Sequence, residues 1–213
     1  FVTKKIQGFS YEIQDSYLFV TIASPSKIYD KIVVLDAGHG GVDPGATRKG
    51  VQEKAINFAV INQYAKQYFD NSDIKVYYTR TTDTKIDLYE RAAFAEKVDA
   101  DLFISFHVNA NNSSSVRGTS VYYSTNNNKV TDTGLSSKIL AQKALEKFIQ
   151  AWGTRNMGVL TQKFVVVHHN TVPAILLESA FITNSDDFAK LTRNRNEKAL
   201  QKILYYEFLS LCD

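Results

Sequence analysis

The stretch KIVVLDAGHGG, Lys31–Gly41, decides the fold and indicates where to look for a functional site. Four consecutive apolar residues, Ile32–Leu35, predict a buried strand, because short continuous apolar runs are typical of strands covered on both faces. The strand leads to His39, which is surrounded by small residues. A core histidine needs neighbours that pack against it, whereas glycines leave room, so the pattern indicates a binding site at the end of this strand.

Composition narrows the classes of protein to be considered. The 213 residues are 44% hydrophobic and 22% charged, as in soluble globular proteins. The net charge of +3 comes from Lys and Arg spread along the chain, so no nucleic-acid partner is expected. The single cysteine, Cys212, excludes internal disulfides and Cys-based zinc clusters. No apolar run approaches the roughly 20 residues that span a bilayer. We expect the protein to be a monomer.

Residues 1–30 differ from the rest of the chain. They alternate apolar and polar side chains around turn signals at Gly8 and Asp15-Ser16, which predicts short antiparallel strands. We interpret residues 1–30 as an appendage or linker and residues 31–213 as one domain. The chain begins at Phe1 rather than Met, so we expect a processed or trimmed fragment whose export signal lies elsewhere.

From Lys31 onward, apolar strands alternate with helical patterns. The predicted strands are Ile32–Asp36, Lys75–Thr79, Leu102–Phe106, Ser120–Ser124, Phe164–Val167 and Ala174–Glu178. The predicted helices cover approximately Glu53–Asp70, Leu88–Val98, Gly134–Trp152 and Asp186–Leu211. This alternation predicts an α/β fold: a single domain with a mostly parallel, twisted sheet of about six strands and helices on both faces.

Polar side chains follow several of the predicted strands. In open α/β sheets, sites form outside the carboxyl ends of the parallel strands. Those ends carry His39, Arg80, His107 and Glu178, and Glu53 opens the helix after the glycine-rich loop. Any one of these residues alone is more readily explained as structural. Their convergence on one edge of the sheet favours a site.

Two imidazoles and one carboxylate, with a fourth position left to water, match a catalytic zinc pattern. His39, Glu53 and His107 can fill this ligand set, and Glu178 is then left as the general base. Because Glu178 follows the apolar residues AILL, partial burial should raise its pKa towards the useful range.

Other motifs favour structural roles. The adjacent residues His168 and His169 follow a predicted strand. Neighbouring side chains on a strand point to opposite faces, so these two histidines cannot share a metal. The glycine-rich GHGGVDPG lacks the features of a phosphate loop or a dinucleotide fingerprint. No serine lies in a nucleophile-elbow sequence.

Four blocks in order, VVLDAGHGGVDPGA, QEKAIN, TRTTDTKIDLYERAAFAEKVDADLFISFHVNA and VPAILLESAFITN, resemble the zinc-dependent N-acetylmuramoyl-L-alanine amidases of the type 3 amidase family. The resemblance covers essentially Lys31 to the C-terminus. By resemblance, His39, Glu53 and His107 match the zinc ligands and Glu178 matches the catalytic glutamate.

The resemblance implies a Zn²⁺-dependent hydrolase that cleaves the amide between N-acetylmuramic acid and L-alanine of the peptidoglycan stem peptide. It also implies an extracellular or cell-wall location. Asn109 and Arg80 are candidate substrate-binding residues, and Arg91, Arg117 and Arg155 are weaker ones. A metallopeptidase acting inside the stem peptide, or a wall-binding module without turnover, remains an alternative. Some relatives carry a helical insertion after the second histidine that blocks the zinc. Here only NNSSSVRG separates the HVNA block from the next predicted strand, so we expect an open site.

Overall fold

A computed structural model describes residues 5–69 and 72–192 of the chain. In chain order, the strands are β1 (Gly8–Gln14), β2 (Tyr17–Ala23), β3 (Lys31–Ala37), β4 (Thr47–Arg48), β5 (Val51–Gln52), β6 (Ile74–Tyr78), β7 (Leu102–Asn109), β8 (Thr119–Tyr123), β9 (Asn156–Thr161) and β10 (Ala174–Phe181). Six of them form the central sheet in the order β6-β3-β7-β10-β8-β9. Neighbouring strands are parallel except for the β10–β8 pair, so the predicted mostly parallel sheet is confirmed.

Helices cover both faces of this sheet. They are α1 (Glu53–Phe58), a π-helical segment (Ala59–Ala65), α2 (Lys66–Phe69), α3 (Leu88–Lys97), α4 (Ser137–Trp152), α5 (Val165–His168) and α6 (Ser185–Thr192). A short 3₁₀ turn, Pro25–Lys27, precedes β3. The sequence-based prediction of one helix from Glu53 did not include the π-helical segment.

The side chains on the two faces of β3 pack into two different hydrophobic cores. Val33 and Leu35 lie in a core shared with α1 and α4, whereas Ile32 and Val34 lie in a second core shared with α3 and α5. All four are buried, because β3 is a central strand with helices on both sides. The apolar run therefore has the environment that it predicts.

The predicted strand Phe164–Val167 is wrong. Its valines favour a strand, but they form the short helix α5, and buried Val166 and Val167 pack into the second core. The sixth strand is instead β9, which pairs with β8 and contains Gly158 at a φ of +94°. Tertiary packing outweighs local propensity in both segments.

The other predicted elements lie within a few residues of the observed ones. Helix α4 begins at Ser137 and ends at Trp152, and Gly153 caps it in the left-handed conformation. The predicted helix Asp186–Leu211 corresponds to α6 as far as Thr192, and its remainder lies outside the described residues.

The predicted antiparallel strands in residues 1–30 are the hairpin β1–β2. Whether position 30 is a domain boundary stays a prediction. None of the described helices combines the length and apolar character needed to cross a membrane.

Candidate metal centre

Three elements bring His39, Glu53 and His107 together at the carboxyl end of the sheet. His39 lies just after β3, Glu53 is the first residue of α1, and His107 lies within β7. One ligand atom from each residue lies within 4.8 Å of those of the other two. The Oε2 atom of Glu53 is 3.3 Å from His39 Nε2, and its Oε1 atom is 3.0 Å from His107 Nδ1. Tetrahedral zinc with bonds of about 2.0–2.1 Å separates its ligands by about 3.3 Å, so the spacing fits.

The carboxylate of Glu53 is surrounded by hydrogen-bond donors. The backbone N–H of Val108 donates to Oε1 at 2.9 Å, and that of Ala46 donates to Oε2 at 2.8 Å. Burial alone would raise the pKa of Glu53, but the hydrogen bonds and charges of His107 and His39 outweigh it and hold the pKa well below its usual range. Glu53 is therefore an ionised, fixed oxygen donor.

Asp43 orients His39. Its Oδ2 atom lies 2.9 Å from Nδ1 of His39, which leaves Nε2 directed at Glu53. Burial lowers the pKa of His39, but the hydrogen bonds and charges of Glu53 and Asp43 raise it to about 9. A metal-ligating histidine usually donates from its other ring nitrogen to a carboxylate or carbonyl oxygen, and this hydrogen bond fixes the orientation of the ring. In the sequence, Asp43 lies within the motif GHGGVDPGA, and its contact with His39 was not predicted.

The glycines supply the space that the sequence indicated. A Cβ atom at Gly38 would lie 2.3 Å from Nε2 of His107, and one at Gly45 would lie 2.5 Å from Oε2 of Glu53. Gly45 also has a φ of +63°, which side chains rarely adopt. Small residues are therefore required for the donors to approach each other. Two nitrogens and one oxygen, held in this cradle, fit a zinc ion.

A buried ion pair supports the loop that carries His39. Arg91 donates from Nη1 to Asp36 Oδ1 at 2.7 Å and from Nη2 to the carbonyl oxygen of His39 at 2.7 Å. Ser105 donates to the other oxygen of Asp36 at 2.6 Å. Burial raises the pKa of Asp36, but Arg91 and the hydroxyl donors more than offset this and lower it. The pair fixes the backbone beside the site, and both of its residues line the cavity of the site.

Arg80 is buried beside the site, and its expected role in substrate binding stays a prediction. The residue is only 3% exposed. Its guanidinium donates to the carbonyl oxygens of Ala37, Gly38 and Lys54 at 2.8, 3.2 and 3.0 Å. The sequence places Arg80 after a strand, but it does not show that the guanidinium will donate its hydrogen bonds to backbone carbonyl oxygens.

Glu178 faces the same site from β10. It lies in register with His107 on the neighbouring parallel strand, so the two side chains share one face of the sheet. Its Oε2 atom is buried without a hydrogen-bond partner among the described residues. Burial raises the pKa of Glu178 to about 7. The charge of His107 opposes this rise, and the charge of Glu53 adds to it. This matches the sequence-based expectation for a proton acceptor.

A cavity of about 540 Å³ joins these groups to solvent. Its lining includes His39, His107 and Glu178, and an apolar wall formed by Phe164, Val165, Val166 and Leu176. Asn109 lies two residues beyond His107 on β7, and its Oδ1 atom accepts a hydrogen bond from the N–H of Ala110. A role of Asn109 in binding stays a prediction.

His168 and His169 lie at the end of α5, not on a strand. His168 Nδ1 is 3.0 Å from Ser124 Oγ, and the ring of His169 lies 5.2 Å from that of Tyr89. Neither belongs to the metal-ligating cluster found in the described part of the chain. The structural interpretation therefore fits these two residues, although its strand geometry was wrong.

Comparison with known proteins identifies the family. Residues 33–206 match the N-acetylmuramoyl-L-alanine amidase family. The chain is 36% identical over 177 residues to the N-acetylmuramoyl-L-alanine amidase LytC of Bacillus subtilis and 33% identical over 164 residues to the endolysin of Bacillus phage SPP1. These matches cover 83% and 77% of this chain but only 34% of LytC and 59% of the endolysin.

A solved structure supports the same assignment. The crystal structure of an N-acetylmuramoyl-L-alanine amidase from Clostridium difficile 630 superposes with a TM-score of 0.76 at 32% identity, and it covers 84% of this chain and 95% of that one. Fold, sequence and site geometry agree: this chain belongs to the N-acetylmuramoyl-L-alanine amidase family.

Proposed function

We propose that this chain is a zinc-dependent hydrolase of peptidoglycan that cleaves the amide between the lactyl group of N-acetylmuramic acid and L-alanine. One observation carries the proposal: His39, Glu53 and His107 bring three donor atoms within 4.8 Å of one another, and the two histidines line a cavity together with Glu178, whose buried Oε2 atom has no hydrogen-bond partner in the described structure. The resemblance of the chain to amidases supports the choice of bond.

His39 Nε2, His107 Nδ1 and a carboxylate oxygen of Glu53 would hold the zinc ion. When bound, zinc polarises a carbonyl group and lowers the pKa of a water molecule to about 7. The hydrogen bonds from Val108 and Ala46 keep the Glu53 oxygens in place, so little rearrangement is needed when a ligand exchanges. The contact with Asp43 does the same for His39.

Glu178 would move the proton. A carboxylate whose pKa lies near 7 can accept a proton from the attacking water and release it to the departing alanine nitrogen. Because its Oε2 has no competing donor in the described structure, the proton acceptor is free when substrate arrives.

The entrance to the cavity supports an open site. The connection from β7 to β8 comprises residues 110–118 and contains no helix. We therefore expect the site to be constitutively accessible, with the apolar wall of the cavity and Asn109 as candidate substrate contacts. A peptidoglycan substrate places the action of the chain outside the cell or in the cell wall.

Product analysis tests the bond that is cleaved. We expect purified peptidoglycan, digested with the zinc-loaded chain, to gain free amino groups on L-alanine and free lactyl carboxylates on muramic acid. The E178Q variant serves as the matched control for contaminating hydrolases. New amino groups only at interior stem residues would instead identify a metallopeptidase, and no products from the parent chain would identify a binding module.

A further inference from the structure

The hairpin β1–β2 exposes an apolar face. Tyr11 lies opposite Val20 in the antiparallel register, and side chains two residues apart share a face. The side chains on this face are Phe9, Tyr11, Ile13, Leu18, Val20 and Ile22. Each is between 44% and 73% exposed. We call this set the apolar hairpin face. Such a contiguous group is unusual on an isolated chain and indicates a contact surface.

The hairpin is held at its base. The hydroxyl of Tyr29 donates to the carbonyl oxygen of Phe9 at 3.2 Å and accepts from the N–H of Phe9 at 3.3 Å. Gly8 packs so closely that a Cβ atom there would lie 2.8 Å from the ring of Tyr29. A two-stranded hairpin alone is only marginally stable in water, so covering the apolar hairpin face would stabilise it.

Charge narrows the choice of partner. Residues 8–23 contain two acidic residues, Glu12 and Asp15, and no Lys or Arg. An anionic lipid surface or a nucleic acid attracts basic residues, so neither fits. A glycan needs several polar contacts, and the apolar hairpin face offers only the hydroxyl of Tyr11. Another uncharged, twisted sheet face fits best, because such faces interdigitate about 10 Å apart.

We propose that the partner is a second copy of this chain, with two hairpins packed face to face about a twofold axis. In such a contact the same face of each copy meets the other, and an uncharged face creates no like-charge repulsion. At roughly 150–250 Å² for a fully buried aromatic side chain and less for an aliphatic one, the face presents on the order of 600 Å² per copy. The dimer would cover about 1,200 Å² in total, the lower bound of stable interfaces.

This dimer replaces the monomer expected from the sequence. It is independent of the proposed hydrolysis, because no hairpin residue lines the cavity that contains Glu178. Failure of the dimer and failure of the hydrolase assignment are therefore distinguishable.

Sedimentation equilibrium of the full chain tests the proposal. We expect the parent to reach a monomer–dimer equilibrium. Y11K and V20K, at the centre of the apolar hairpin face, should each raise the dimer Kd by at least about 100-fold, since each buries an unpaired charge. S10K and T21K are matched controls, because this pair lies at the same level on the opposite face. They should change the Kd by less than about threefold.

Three outcomes would overturn the proposal. The first is a parent that stays monomeric at every concentration, as it would if residues 193–213 covered the face within one chain. The second is a dimer that Y11K and V20K leave intact. The third is equal weakening by variants on both faces. Unchanged zinc content and near-ultraviolet circular dichroism of the lysine variants would show that each is folded.

Discussion

The two glutamates of the site, Glu53 on α1 and Glu178 on β10, differ in their partners. Glu53 receives two backbone N–H groups and contacts two imidazoles, and its pKa is held well below its usual range. Glu178 has a buried oxygen with no donor in the described structure, and its pKa rises to about 7. Glu53 is buried, and Glu178 is half-buried in the wall of the cavity. The number of donors around each one, rather than its burial, separates a fixed metal ligand from a proton carrier.

The largest effect should come from removing the proton carrier. E178Q keeps the shape of the side chain but cannot accept a proton at the relevant pH. We expect peptidoglycan turnover to fall by at least about 10³-fold while zinc content stays at the parent level. Release of new alanine amino groups measures the turnover. Loss of zinc together with activity would show that Glu178 belongs to the ligand set, and the distinction between the two glutamates would fail.

The ion pair that supports the loop carrying His39 offers the next largest effect. Arg91→Met leaves Asp36 buried and without its cationic partner, which should lower the free energy of unfolding by about 3–5 kcal/mol. Denaturant unfolding measures the loss. Asp36→Asn in the same chain removes the stranded charge and should recover part of the stability. A cost below about 1 kcal/mol would mean that the ion pair does not support the site.

Asp43 provides a smaller, graded test. Asp43→Ala removes the acceptor that holds His39 and should weaken zinc binding by about 10–100-fold. Asp43→Asn keeps an acceptor oxygen without the charge, so its loss should be smaller. Competition with a chelator of known affinity measures both. Equal affinities in the parent and both variants would show that the loop backbone alone orients His39.

The strand ends predicted His39, His107 and Glu178 because the apolar runs before them form strands and parallel strands finish at one edge. Glu53 was predicted because it opens the first helix after the glycine-rich loop. The roles of Arg80 and Arg91 were not predictable, since a buried arginine depends on carbonyls and a carboxylate contributed by distant segments. The short helix α5 was missed for a related reason: packing of Val166 and Val167, not their propensity, decides its conformation.

The pH dependence of zinc binding tests the same contacts in steps of a single pH unit. In the metal-free chain the pKa of His39 is raised to about 9, so near neutral pH its imidazole carries a proton that zinc must displace. Apparent zinc affinity should therefore rise by up to about tenfold per pH unit from neutral pH towards pH 9 and level off above it. Chelator competition across this range measures the slope. A flat profile would mean that His39 is already neutral and that Glu53 does not charge it.

Metal content tests the central claim most directly. Protein prepared without added zinc, analysed by elemental emission, should contain one zinc ion per chain, as should E178Q. His39→Ala and E53Q should fall to background, because each removes one of the three donors. A parent chain that takes up no stoichiometric zinc, or an E53Q variant that retains it, would contradict the assignment of Glu53 as ligand and Glu178 as base.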